Sequence, residues 1–292
     1  MQRDRAYYLY RYGTALLCWL PRSIAMSVMT VATYVAYVVS GRTRRMVSRN
    51  LRRVVGNQTS PRELKRIVRM SYASYGRYWV DLAHLTKLSE DDFGASIDEH
   101  DLVTFVEVMQ HKAVIIALPH IGSWEIAGLW ASKHGYTVNT VAEPASSEAL
   151  TDWFRQQRDA IGIHVLELSG QTINQLLGAL GREELVALVA DRNIGGEGIE
   201  VRFFGETVRM PGGPALLALR SGCPLVPLAI YHDRSDQHFP VLLPPISLAR
   251  TGRLRDDVVR ITQDLAYAFE DLIRKAPEQW HVFQPIFQAR EE

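Results

Sequence analysis

The stretch AVIIALPHIGSWEIAGLW, residues 113–130, decides how the chain folds. Its first six residues form a continuous apolar run, which is typical of a strand buried on both faces. Pro-His-Ile-Gly follows as a turn, and Ser123 is then a good N-cap for a helix with Glu125 in its first turn. The stretch therefore predicts a strand, a turn that carries His120, and a helix.

Alternation of apolar runs with amphipathic segments continues through the C-terminal two thirds of the chain. Strand-like runs occupy residues 113–118, 137–142, 163–168, 184–190 and 224–231. Helix candidates occupy residues 123–134, 147–160, 171–182, 212–221 and 255–275. We therefore predict an α/β fold with a central, mostly parallel or mixed sheet that is covered by helices.

His120 occupies the position where such folds bind ligands, because ligands lie beyond the carboxyl ends of the strands. A carboxylate such as Glu125 on one imidazole nitrogen would leave the other nitrogen as a base toward a hydroxyl or water. The structural alternative is that His120 caps the strand and Glu125 complements the helix dipole. The sequence contains no G-x-S-x-G elbow, H-E-x-x-H helix, Walker loop or G-x-G-x-x-G motif. A histidine base that activates a substrate hydroxyl directly is the simplest remaining chemistry.

The N-terminal region differs sharply from the rest in charge. Residues 1–70 contain 14 Lys or Arg and two acidic residues, a net charge of +12, whereas the remaining 222 residues have a net charge of −11. Arg22 and Arg42 bracket 19 residues without a charge, slightly short of the about 20 that span a bilayer but long enough for an interfacial helix. Ser60, Pro61 and Glu63 predict the start of a further helix.

We predict that residues 1–100 form a helical, membrane-associating region and that residues 101–292 form the α/β core, the two making one compact unit. The arginines would contact anionic lipid phosphates. A buried helix of a soluble core is the alternative for the apolar segment. Nucleic acid is not an expected partner, since the arginines bracket an apolar segment and no nucleic-acid-binding signature is present. The two cysteines, Cys18 and Cys223, lack metal-type spacing and favour a reducing compartment.

A second concentration of polar residues follows the strand-like run at 184–190. Charged residues surround two aromatic residues, Phe203 and Phe204, which we expect to be exposed; they are Asp191, Arg192, Glu197, Glu200, Arg202, Glu206 and Arg209. Apolar and charged groups side by side suit an amphiphilic ligand with a phosphorylated or sugar head. A hairpin with surface ion pairs is the alternative.

Several blocks of the sequence resemble a known family. "LPHIGSWEIAGLW", "ADR", "GIEVRFFGE" and "RMPGGPALLALRSGCPLVPLAIY" are similar to the bacterial lysophospholipid acyltransferase superfamily. The resemblance is nearest to the branch of lipid A late acyltransferases and actinobacterial phosphatidylinositol mannoside acyltransferases. It covers nearly the whole chain and is strongest around His120 and Glu200.

The resemblance implies roles for particular residues. His120 would accept the proton of the acceptor hydroxyl, and Glu200 would be the carboxylate paired with it. Glu125 fills the acidic position of the family's His-x4-Asp motif, so two carboxylates compete as the partner of His120. Polar pocket residues near the acyl donor or acceptor head are implied at Glu143, Arg158, Arg192 and Arg202. Salt bridging at loop ends is the alternative for these four.

The resemblance also implies an activity. The enzyme would transfer a fatty acyl group from acyl-CoA to a mannose hydroxyl of a phosphatidylinositol mannoside at the cytoplasmic face of the cell membrane, without a covalent enzyme intermediate. Acyl-CoA would be the donor substrate, and no metal or other cofactor is expected. Another glycolipid or phospholipid acyltransferase, such as a lipid A type enzyme using acyl carrier protein, is one alternative. A non-catalytic membrane-binding protein is the second.

Overall fold

The first part of the chain is helical. The computed structural model describes residues 2–88, 113–142, 144–193, 198–233 and 237–287, with side chains from residue 5 onward. Its N-terminal helices are α1 (Gln2–Trp19), α2 (Arg22–Val39), α3 (Gly41–Val55) and α4 (Pro61–His84), followed by a short 3-10 helix (Leu85–Lys87). As predicted, Ser60 caps α4 by accepting a hydrogen bond from the Glu63 N–H. The predicted boundary between residues 100 and 101 lies outside the described residues.

From residue 113 strands and helices largely alternate: the five predicted strand-like runs and the five helix candidates all form, and three further strands, at residues 199–203, 206–210 and 238–242, lie outside those runs. The strands are β1 (Ile115–Leu118), β2 (Val138–Ala142), β3 (Ile163–Glu167), β4 (Leu185–Val189), β5 (Ile199–Phe203), β6 (Glu206–Met210), β7 (Leu225–His232) and β8 (His238–Leu242). The helices are α5 (Trp124–Lys133), α6 (Glu148–Asp159), α7 (Thr172–Gly181), α8 (Gly213–Ser221) and α9 (Leu254–Lys275), with a 3-10 helix at Pro277–Gln279.

The main sheet has six strands in the order β3-β2-β4-β1-β7-β8. All neighbours pair in parallel except β7 and β8, which are antiparallel. Strands β5 and β6 form a separate antiparallel hairpin. The fold is therefore α/β with a mixed, mostly parallel sheet, which confirms the predicted class.

Both faces of the sheet are covered, and β1 lies at its centre. Ile115 and Ala117 belong to the apolar cluster beneath α7, α8 and α9. Ile116 and Leu118 belong to the cluster beneath α4 and α5 on the other face. Because successive strand residues face opposite sides, burial of all four explains why this segment is continuously apolar.

Helix α2 packs on α4 with one side and leaves the other side exposed. The two helices approach closely at Gly76, where a Cβ atom would lie 2.6 Å from Thr33 Cγ2. The opposite side carries an exposed apolar stripe, defined by Val28, Val31, Val35 and Val38. Among the described residues, α2 is the one helix that is long and apolar enough to cross a membrane, by length and composition alone.

A buried carboxylate, Asp81 on α4, connects the N-terminal helices to the α/β part. It accepts hydrogen bonds from Arg22 Nη2 at 2.6 Å and from the Ser123 hydroxyl just before α5. His238 Nε2 on β8 lies 3.5 Å from the same carboxylate. Burial favours the neutral acid, but His238, Arg22 and Arg77 overcome this effect and hold the pKa of Asp81 below its usual range.

We predict that Asp81→Ala destabilises the protein by about 3–5 kcal/mol, because buried cationic partners lose their counter-charge. The exposed Asp271, which pairs with Arg274 on α9, is the matched control, and Asp271→Ala should cost less than about 1 kcal/mol. Urea unfolding followed by circular dichroism measures both. Since the pKa of Asp81 is lower folded than unfolded, its contribution is complete at neutral pH and is lost on acidification. Equal losses for the two variants would contradict this role.

Candidate active site

His120 lies in the turn between β1 and α5, where a glycine allows the chain to bend sharply. Gly122 has a φ of +55°, and a Cβ atom there would lie 2.0 Å from the Ile230 carbonyl oxygen. The Gly122 N–H donates to the Gln279 carbonyl at 3.0 Å, and the His281 N–H donates to the His120 carbonyl at 2.8 Å. The turn is therefore held between β7 and the segment 279–281.

The carboxylate beside the imidazole is Asp191. It follows β4, and because β1 and β4 are parallel neighbours, the two side chains emerge at the same edge of the sheet. Asp191 Oδ1 lies 2.5 Å from His120 Nδ1, while Oδ2 accepts the His120 N–H at 3.0 Å and Trp280 Nε1–H at 2.7 Å. The Asp191 side chain is completely buried.

The charge state of Asp191 follows from these contacts. Burial by itself would raise its pKa, but the charge of His120 and the hydrogen bonds from His120 and Trp280 lower the pKa to about 2. Asp191 is therefore ionised at neutral pH, and its Oδ1 atom accepts a hydrogen bond from the Nδ1–H group of His120. Hydrogen bonds among the described residues reach only Nδ1 of the ring, so the tautomer with a lone pair on Nε2 is favoured.

The His120 side chain, which carries Nε2, lines a large cavity of about 1010 Å³. Three of the other predicted polar residues, Glu125, Arg158 and Arg192, line the same cavity. The Trp124 ring packs edge-on against His120, with 5.2 Å between ring centroids. The structure therefore brings four of the seven predicted site residues together around one space.

Glu125 does not pair with His120 as the sequence suggested. Its Oε1 atom instead accepts hydrogen bonds from Arg158 Nη2 and from the Tyr78 hydroxyl, both at 3.0 Å. Burial and the charge of Glu125 raise the pKa of Tyr78 well above its usual value, so the phenol remains a donor. Glu125 thus fixes the guanidinium of Arg158 at the cavity wall.

Glu200 and Arg202 lie elsewhere. Both are on the exposed side of the β5–β6 hairpin, where Glu200, with 63% of its side chain exposed, pairs with Arg209 Nη2 at 2.8 Å. Neither residue lines the cavity of His120, so the structure does not place Glu200 beside the imidazole. Phe203 was expected to be exposed, but this was wrong: alternation along β5 turns it into the core, where it is fully buried. Glu143 lies outside the described residues.

The cavity extends along β2 and β4, and this part of it, where the pairing of the two strands has ended, is called the channel. β2 and β4 pair only at Val138–Leu185 and Asn139–Val186. Beyond that point the Thr140 hydroxyl donates to the Ala187 carbonyl at 2.7 Å in place of a backbone bond. Successive residues of both strands, 140–142 and 187–190, line the cavity, which a cavity on one face of a regular sheet does not allow.

Two residues of the site, Asp191 and Trp280, were not assigned to His120 from the sequence. Asp191 follows a strand-like run, so the edge-of-sheet argument used for His120 applied to it equally. Which strands are neighbours, however, is not readable from periodicity. For Trp280 the sequence carried no signal, because it lies in an irregular segment after the last helix.

Comparison with known proteins gives consistent results. The sequence model of the family described as bacterial lipid A biosynthesis acyltransferase matches residues 2–289. The chain is 32% identical over 282 residues to a phosphatidylinositol mannoside acyltransferase of Mycolicibacterium smegmatis, covering 94% of this chain and 89% of that protein. Proteins of the same name from two Mycobacterium tuberculosis strains are 34% identical over 230 residues, covering 75% of this chain and 69% of theirs.

We predict that Gly122→Ala destabilises the protein by about 2–4 kcal/mol, because a Cβ atom would combine left-handed strain with a clash against a rigid carbonyl. Gly135 is the matched control, since it has a φ of +84° but open space around it. Gly135→Ala should cost only about 1 kcal/mol. Differential scanning calorimetry compares the two, and a similar cost at both positions would show that the close approach to Ile230 does not constrain the turn.

Proposed function

Because the chain belongs to the bacterial lipid A biosynthesis acyltransferase family, we propose that it transfers a fatty acyl group from acyl-CoA to a mannose hydroxyl of a phosphatidylinositol mannoside. The proposed acyl-transfer chemistry rests on one observation, the His120–Asp191 pair beside the cavity and its channel. The acceptor class rests on the similar mycobacterial proteins, whose names specify phosphatidylinositol mannoside.

His120 is the base of the proposed reaction. Nε2 takes the proton of the acceptor hydroxyl while the hydroxyl oxygen attacks the thioester carbonyl carbon. Asp191 stabilises the imidazolium through the bond to Nδ1. The tetrahedral intermediate then collapses, the carbon–sulfur bond breaks, and the leaving thiolate receives the proton from Nε2. Acyl transfer is direct, and no acyl-enzyme forms.

Positive groups around the cavity suit the charges that the reaction generates and binds. Arg192 directly follows Asp191 and lines the cavity, so its guanidinium is well placed to stabilise the oxyanion. Arg158, oriented by Glu125, suits a phosphate or hydroxyl of a substrate head. The channel between β2 and β4 receives the acyl chain. Glu143 and Arg202 stay predictions as polar residues near a substrate head, whereas this proposal replaces Glu200 by Asp191 as the carboxylate partner of His120.

The N-terminal helices bring the enzyme to its lipid acceptor. The exposed stripe of Val28, Val31, Val35 and Val38 on α2 suits insertion into the acyl boundary of a bilayer. Exposed arginines on α3, Arg42, Arg45 and Arg49, suit anionic lipid phosphates. Because α2 also packs on α4, we propose shallow insertion at the cytoplasmic face of the cell membrane.

We predict that His120→Ala lowers the rate of acyl transfer by about 10²–10⁴, because general base catalysis is lost. His134 is exposed at the end of α5 and serves as the matched control; His134→Ala should transfer at the wild-type rate. The assay offers labelled acyl-CoA or acyl-loaded acyl carrier protein with phosphatidylinositol mannoside, lipid A precursor or lysophospholipid. Both variants should bind vesicles like the wild type.

The outcomes separate the alternatives. Product only with acyl-CoA and phosphatidylinositol mannoside supports the proposal in full. Product formed with acyl carrier protein would replace the proposed donor, and product formed on another acceptor would replace the proposed acceptor. The role of His120 as the base would stand in both cases. Wild-type transfer by His120→Ala removes His120 as the base, and absence of transfer from every donor favours a non-catalytic membrane-binding protein.

We predict that Val35→Asp weakens binding to anionic vesicles at least tenfold, because a charge would enter the apolar part of the bilayer. Val259 on α9 is also exposed, and Val259→Asp should bind vesicles as the wild type does. Vesicle sedimentation with phosphatidylglycerol-containing liposomes measures both. Equal weakening, or none, would contradict docking through α2.

A further inference from the structure

We propose that Trp280 is a positioning residue for acyl transfer, whose indole N–H fixes the Asp191 carboxylate in the orientation that holds His120. This inference rests on the proposed role of the His120–Asp191 pair. Trp280 Nε1 lies 2.7 Å from Asp191 Oδ2, whereas Asp191 Oδ1 contacts the imidazole. The indole therefore binds the oxygen that the imidazole does not use.

The hydrogen bond is specific to the indole nitrogen. Trp280 is fully buried, and an indole N–H can only donate, so burial requires an acceptor. Asp191 Oδ2 accepts from Trp280 and from the His120 backbone N–H, while Oδ1 remains for the imidazole. With donors on both oxygens, rotation of the carboxylate would break at least one charge-assisted bond.

Trp280 is itself held by the segment that holds the His120 turn. It forms an isolated β-bridge with Ile121. The residues on either side of it, Gln279 and His281, form the backbone hydrogen bonds to Gly122 and His120. The Phe203 ring packs edge-on against the indole, with 5.9 Å between centroids. One rigid segment thus fixes both the turn that carries the base and the carboxylate that orients the base.

Trp280 does not line the cavity, so its effect should fall on the chemical step and not on substrate binding. A hydrogen bond to a charged acceptor is strong enough that its loss lowers kcat by about tenfold to a hundredfold. KM for donor and acceptor should stay within about twofold of the wild type. If Trp280 only filled space, a substitution that preserves its shape would leave both kcat and KM unchanged.

The experiment measures kcat and KM for Trp280→Phe and for a variant with benzothienylalanine at position 280, which replaces the indole N–H by sulfur at nearly constant shape. The second variant keeps the test valid if Trp280→Phe fails to fold. Trp153→Phe on α6, another buried tryptophan, is the matched control and should keep the wild-type kcat. Both position-280 changes should lower kcat tenfold or more with little change in KM.

A double-mutant cycle with Asp191→Asn shows whether the effect passes through the carboxylate. In that background the benzothienylalanine substitution should cost less than about twofold in kcat. Wild-type kcat for benzothienylalanine at position 280, or an undiminished loss in the Asp191→Asn background, would overturn the inference alone. Wild-type kcat for Asp191→Asn itself would instead overturn the proposed pairing with His120.

Discussion

The hydrogen bond between Asp191 and His120 Nδ1 is the interaction on which the site depends. A buried carboxylate is costly unless donors surround it, and Asp191 has three: the imidazole, the His120 N–H and the Trp280 indole. These contacts fix the ring and its tautomer together. These contacts are possible because β1 and β4 pair in parallel, which brings the ends of both strands to one edge of the sheet.

Among the described residues, two carboxylates of the site have separate tasks. Asp191 orients His120, and Glu125 orients Arg158. A third, Asp81, lies beneath the turn and holds Ser123 on one side and Arg22 on the other. The turn that carries the base is therefore connected through one buried charge to the start of α2, the helix whose other side is proposed to meet the bilayer. The proposed chemistry and the proposed membrane contact therefore share one polar connection.

Much of this architecture was predictable from the sequence. The apolar runs located five of the six strands of the main sheet to within a few residues, since burial on both faces demands continuous hydrophobicity, whereas β8 was missed. His120 was correctly placed at a strand end. The carboxylate partner was not predictable. Periodicity defines strands but not their order, and the order alone makes Asp191 a neighbour of His120. The resemblance offered Glu125 and Glu200 as competing partners, but Glu125 binds Arg158 and the hairpin directs Glu200 to the exposed side.

The most direct test compares kcat for acyl transfer by Asp191→Asn and Glu200→Gln under the same conditions. With Asp191 as the carboxylate that orients His120, Asp191→Asn should lose roughly 10²–10⁴ in kcat. Glu200→Gln should retain kcat within about threefold, because its exposed ion pair with Arg209 contributes little. The reverse pattern, a severe loss for Glu200→Gln and near-normal transfer by Asp191→Asn, would contradict the account.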